Sequence, residues 1–202
     1  MRLPRRRFIG GVAALAAWRA SAQNAGAGPR VNLTTAEGLI VVELASDKAP
    51  VTVVNFLRYV DDKRFDGASF YRAMRLSAAP PAGLIQGGLS NNPSKVLAPI
   101  AHESTLSTGI LHTDGVISMA RYDPGTATSE FFICVGPQPS LDADPRASGD
   151  NQGFAAFGHV VAGMDVVRAI LASPVSATAG EGSMKGQMLD PTIPIISARR
   201  AN

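Results

Sequence analysis

The side chains best able to do chemistry fall in a few short runs. Phe70-Tyr71-Arg72 places an arginine behind two aromatics, and Gln86-Gly87-Gly88 places an amide before a glycine pair. Ser118-Met119-Ala120-Arg121 and Ser129-Glu130-Phe131-Phe132-Ile133-Cys134 add a carboxylate, a tandem phenylalanine and the single cysteine. His102, His112 and His159 have no metal-ligand spacing with any carboxylate or cysteine, so each reads as a loop or core histidine and no metal is expected. Ser129 lacks a Gly-x-Ser-x-Gly setting, which argues against a hydrolase. What remains is a guanidinium, amide-type hydrogen bonders and an aromatic wall. Such a set can grip a chain and stabilise charge without attacking it, and one reaction that asks no more than this is rotation about the amide bond before a proline.

That rotation breaks no bond, so it needs neither a nucleophile nor a metal. It meets a barrier of roughly 18–20 kcal/mol, because the nitrogen lone pair is shared with the carbonyl. The uncatalysed exchange takes tens of seconds or longer. In the twisted amide the nitrogen regains its lone pair and can accept a hydrogen bond. A guanidinium near the prolyl nitrogen and carbonyl would therefore favour the twisted form over both planar ones. A barrier lowered by roughly 6 kcal/mol accelerates rotation about 10⁴-fold.

Taken together, these runs resemble the cyclophilin family of peptidyl-prolyl cis–trans isomerases. Ala49-Pro50 with Asn55-Phe56, Phe157-Gly158 and Gly163-Met164-Asp165-Val166-Val167 extend the likeness over nearly the whole chain after residue 30. The resemblance implies that Arg72 is the catalytic arginine and that Phe132 lines a proline pocket completed by Leu84, Leu141 and Phe154. It also implies that Gln86 and the backbone around Ala120 and Arg121 hydrogen-bond the substrate chain, with no cofactor. Phe131 should point into the core, since strand residues alternate.

Some positions depart from the family pattern. Arg72 and Gln86 stand 14 positions apart, a longer run than usual, and the extra residues around Ser77 to Pro81 are expected in a surface loop beside the groove. Gly83 occupies the place of a pocket phenylalanine. Glu130 stands where glutamine is usual; an ionised carboxylate only accepts hydrogen bonds, so it would hold a substrate N–H or else pair with Arg72 and orient it. Ser140 replaces a tryptophan that favours cyclosporin, which implies weak sensitivity, and Phe154 replaces a common histidine. Gly83 and Glu130 keep open a second reading: a weak or inactive barrel that binds proline-containing segments without turning them over.

The elements that must position these residues are mostly short strands. Val31 to Thr35 and Leu39 to Leu44 read as a hairpin turning at Glu37-Gly38. Ser69 to Met74, Leu84 to Gln86, Gly115 to Met119, Phe131 to Val135, Ala155 to Val161 and Thr192 to Ser197 are further strand-like runs. Pro50 to Asp62 reads as a helix, with Pro50 in its first turn and Val53, Phe56, Leu57 and Val60 at helical spacing. Gly163-Met164-Asp165 opens a second helix. This pattern indicates an all-β fold, and the resemblance makes it a closed antiparallel eight-stranded cyclophilin-like barrel capped by two α-helices.

The leading residues, 1–22, read as a removable export signal. Arg5-Arg6-Arg7-Phe8-Ile9 is a basic start, Phe8 to Trp18 is apolar, and Ala20-Ser21-Ala22 is a small-x-small cleavage site. Paired arginines before Phe-Ile resemble a twin-arginine signal, with an ordinary secretory signal as the alternative. Residues 23–29 read as a flexible segment, and 30–202 as one domain. The signal carries five of the 19 basic residues and no acidic ones, so the remainder holds 14 basic against 16 acidic and a charge of about −2 instead of +3. No basic cluster follows Arg30, which argues against nucleic acid. A single cysteine cannot form an internal disulfide. The expected product is a periplasmic monomer with no membrane attachment after cleavage, acting on proline-containing polypeptides. Residues 1–22 fused to a reporter should be exported, and changing Arg5 and Arg6 to lysine should abolish that export; undiminished export would assign the general secretory route.

Overall fold

The computed structural model describes residues 28–201; residues 1–22, expected to be an export signal, and most of the 23–29 segment lie outside them. The chain runs β1 (Arg30–Thr35), β2 (Gly38–Leu44), α1 (Pro50–Asp61), β3 (Ala68–Ala78), β4 (Pro81–Gly88), α2 (Thr105–Thr108), β5 (Val116–Met119), β6 (Phe131–Val135), β7 (Ala155–Ala162), α3 (Met164–Ala172), β8 (Val175–Ser176) and β9 (Met188–Arg200). Every strand pairing is antiparallel, in the order β1-β2-β7-β5-β6-β4-β3-β9, and a β1–β9 ladder closes the ring. The two-residue β8 merely lies against β9. This is the expected eight-stranded barrel. Closure leaves none of its long strands with an unpaired edge.

Two details correct the sequence reading. Besides the two expected helices there is a one-turn helix, α2, too short to announce itself by periodicity. The residues around Ser77 to Pro81 are not a separate loop, because β3 and β4 simply run on as a hairpin, with Ser77 opposite Ala82 and Ala78 opposite Pro81. Residues Arg75 to Pro81 are exposed, so they carry no apolar alternation from which that extension could be read.

Alternation sorts the side chains. Val31 and Leu33 of β1 and Ile40, Val42 and Leu44 of β2 are buried in the barrel interior. All of β6 is buried, yet its faces serve different ends. Phe131, Ile133 and Val135 join the main core, whereas Phe132 and Cys134 pack with Leu84 in a separate cluster on the other face. Phe131 meets Phe56, Phe65 and Phe70 edge-on at centroid distances of 5.5, 5.6 and 5.7 Å. Helix α1 caps this cluster through Val53, Phe56 and Val60. Its first turn has no side-chain cap of its own; the Glu103 carboxylate, from the long β4–β5 connection, accepts from the N–H groups of Val51 and Thr52 and from Thr52 Oγ1. No helix among the described residues is long and apolar enough to cross a membrane.

Phe131 is the hub of the aromatic core, so Phe131→Ala should destabilise the domain by about 3–5 kcal/mol. Denaturant unfolding checks this, and a loss below about 1 kcal/mol would mean the core does not depend on that ring.

Candidate functional site

A β-bulge decides which way the arginine points. Phe70 pairs with Gly87, but the next pair is Arg72 with Gln86, which leaves Tyr71 as the extra residue. The β9 partner jumps at the same place, from Ile193 to Met188. Phe70 is fully buried in the core, and strict alternation would send Arg72 in after it. The bulge instead turns Tyr71 and Arg72 outward, and Ala73 returns to the core. From Arg72 one cross-strand row then passes through Gln86 and Phe132 to Ser118.

Arg72, Gln86 and Phe132 of this row line a groove of about 530 Å³, and Ser118 lies buried behind it. Leu84, Phe132, Leu141 and Phe154 supply an apolar wall, Arg72 and Gln86 one end, and Ala120 and Arg121 a side. Arg72 is partly buried and doubly held. Its Nη1 donates to Gln86 Oε1 at 2.8 Å and its Nε to Gln187 Oε1 at 2.9 Å. Burial pulls its pKa below the ordinary arginine value, which marks a cation short of hydration but still charged. Beyond it Gln86 Nε2 donates to the Tyr71 hydroxyl, which donates to Glu130 Oε2 at 2.6 Å.

Glu130 lines the groove beside Tyr71 but does not pair with Arg72, and both of its oxygens already have partners. It is buried, and its Oε1 accepts from the N–H groups of Leu89 and Asn91 and from Ser129 Oγ. Gly88 makes room for it: at φ +146°, a Cβ there would lie 2.7 Å from Glu130 Oε2. Gly83 has an equally local reason. Its φ is +154° and a Cβ would fall 2.0 Å from the Met74 carbonyl oxygen, so the hairpin excludes a phenylalanine there. Met74 itself packs against the Leu84–Phe132 cluster on this wall.

Phe132 is braced from two sides. The Phe154 ring meets it edge-on at 5.5 Å, and the imidazole of His112 stacks on it at 5.8 Å. Arg121 does not reach free into the groove. Its guanidinium lies 5.1 Å from the Phe154 ring centre and grips Asp150 through both Nη atoms, holding that carboxyl down at about 2. The Ala120 N–H is already spent on the Glu130 carbonyl. Cys134 is fully buried, and burial pushes its thiol up to about 12, so it is inert.

His112, Asp142 and Ser118 form a hydrogen-bonded line under the wall. His112 Nδ1 donates to Asp142 Oδ1 at 2.7 Å, and its Nε2 accepts from Ser118 Oγ at 2.9 Å. The types suggest nucleophilic catalysis, but Ser118 has no exposed surface for a substrate to reach. The line has a structural task instead: Asp142 ends the turn Pro139–Leu141, which carries Leu141 into the groove. His102 bonds the Gln152 carbonyl, His159 is exposed, and among the described residues no three metal-ligating side chains converge.

Several participants lay beyond sequence reasoning. Gln187, Ser183, Met184 and Met188 flank Arg72 from a segment about 115 positions away. Only the β3–β9 register brings them there, and no local signal encodes it. The histidine line was equally silent, since its members are spaced along separate elements.

The comparisons with known proteins are consistent with one another. Residues 30–199 match the family described as cyclophilin type peptidyl-prolyl cis-trans isomerase/CLD. A peptidyl-prolyl cis-trans isomerase of Acinetobacter baylyi is 38% identical over 150 residues, covering 72% of this chain and 73% of the relative. One from Streptomyces antibioticus is 35% identical over 170 residues, 82% and 93% of the two chains. A solved cyclophilin-type isomerase of Cryptosporidium parvum superposes with a TM-score of 0.68 at 18% identity, covering 86% of this chain and 98% of that one.

Burial lowers the pKa of His112, against the opposing hydrogen bond and charge of Asp142. The unfolded chain then takes up the proton first, near the ordinary value of about 6.5. The stability that His112 contributes is therefore complete above that pH and is lost as pH falls towards the lower folded pKa. His112→Asn should flatten the fall in unfolding free energy between pH 7.5 and pH 5; an unchanged slope would mean His112 titrates alike in both states.

Proposed function

Since this chain belongs to the cyclophilin-type peptidyl-prolyl cis–trans isomerase family, we propose that it speeds the folding of exported proteins, with Arg72 stabilising the half-rotated prolyl amide. It is a peptidyl-prolyl isomerase, and its substrates are proline-containing polypeptides. The observation that carries the role of Arg72 is its double restraint at the rim of an apolar groove. Phe132, Leu84, Leu141 and Phe154 would take the proline ring. The guanidinium would then face the prolyl nitrogen and carbonyl with its remaining N–H groups. No side chain has to move and no bond has to form. The fixed charge is present before the amide twists, which is the condition for stabilising a transition state more than a ground state.

Gln86 has its oxygen on Arg72 and its nitrogen on Tyr71, so its part is to hold the arginine as much as to meet substrate. Leu84 and Phe132 belong to the apolar wall, and Ala120 and Arg121 frame the side along which an extended peptide would run. The periplasmic setting, the twin-arginine route and a monomeric state complete this reading and rest on the residues before 30 and on family likeness.

Arg72→Ala should lower kcat/KM by about 10²–10³-fold in a protease-coupled isomerisation assay, the range for loss of one charge-stabilising donor. Activity equal to that of the wild type would remove Arg72 from the mechanism. A wild type that binds proline peptides without turnover would make the barrel a binding module.

A further inference from the structure

The restraint on Arg72 has a direction, and that direction begins at Glu130. Three fixed donors, the N–H groups of Leu89 and Asn91 and the Ser129 hydroxyl, hold Glu130 Oε1. Its Oε2 is left to the Tyr71 hydroxyl at 2.6 Å. An ionised carboxylate only accepts, so Tyr71 must spend its one proton there. The phenol then offers a lone pair, and only the nitrogen end of the Gln86 amide can use it, at 2.8 Å. The amide oxygen is thereby turned towards Arg72, whose guanidinium only donates, at 2.8 Å. Reversing the Gln86 amide would set donor against donor at Arg72. A glutamine at position 130 could either donate or accept, and the order of the line would be lost. Burial and the Glu130 charge both raise the Tyr71 pKa, which keeps its proton in place.

We propose that Glu130 is a positioning residue that acts through Tyr71 and Gln86 to orient the Arg72 fork toward the proline pocket. Glu130 does not itself bind the peptide. Tyr71 and Glu130 work as a matched pair, a single-proton donor beside an acceptor-only partner. The pair keeps the cation aimed without placing a counter-charge against it, since Tyr71 and Gln86 separate the carboxylate from the guanidinium. This inference rests on the isomerase reading with Arg72 as its catalytic group.

The test compares Tyr71→Phe and Glu130→Gln, each alone and in the Arg72→Ala background. Tyr71→Phe keeps the ring and should lower kcat/KM about tenfold, the worth of a hydrogen bond to a charged group. The loss should fall on kcat with KM little changed. In the Arg72→Ala background the same substitution should cost less than about twofold, because the two changes remove one function. Solvent exchange of the Arg72 guanidinium protons, followed by ¹⁵N NMR, should quicken in Tyr71→Phe and in Glu130→Gln. Equal losses in both backgrounds, or unaltered guanidinium exchange, would overturn the role of Glu130. If Glu130→Gln does not fold, Tyr71→Phe alone decides. If Arg72→Ala is as active as the wild type, the isomerase mechanism fails, while the exchange measurement still judges the line itself.

Discussion

One irregularity in one strand makes the rest possible: the extra residue at Tyr71 that turns Arg72 out of the barrel. A strand in perfect register would have driven a guanidinium into a core of phenylalanines. The desolvation of an unpaired charge there would cost several kcal/mol, enough to threaten the fold. With the bulge, Phe70 and Ala73 stay inside while Tyr71 and Arg72 face the groove. The displaced residue is itself put to use, because Tyr71 becomes the link between Glu130 and Gln86.

The second constraint is alternation along β6, which serves core and site from the same five residues. Phe131 is locked by three edge-on aromatic contacts, so the strand that carries Phe132 cannot shift without disturbing the core. Phe132 is in turn sandwiched by the His112 and Phe154 rings. The groove is therefore preformed: its wall is set by packing, its cation by hydrogen bonds to Gln86 and Gln187. Half-burial sharpens the electrostatics, since a charge with fewer waters around it interacts more strongly with a dipole that develops nearby.

Much of this was written locally in the sequence. Strands with clean alternation, such as Val31 to Thr35, and the Pro50-led helix were legible because one face of each is core. The tandem phenylalanine, the arginine and the Gln-Gly-Gly run pointed to the groove. Long-range pairing was not legible. Gln187 meets Arg72 only through strand register, and the partners of Glu130 come from the chain around Leu89 and Asn91, some 40 positions earlier. The hairpin tip beyond Arg75 is solvated on both faces, so it gave no period to read. Gly83 looked like a lost pocket wall, whereas its backbone angle and the closeness of the Met74 carbonyl make glycine a requirement of the hairpin.

The central claim is that a fixed guanidinium favours the twisted amide rather than merely holding the peptide. Two-dimensional exchange NMR on an Ala-Pro peptide separates the two directly, because binding and cis–trans exchange are read from the same sample. With the wild type, exchange cross-peaks between cis and trans proline signals should be strong. With Arg72→Lys, which keeps the charge but loses the planar fork, peptide shifts should still report binding while the cross-peaks fade. Cross-peaks of equal intensity in both proteins would contradict the account.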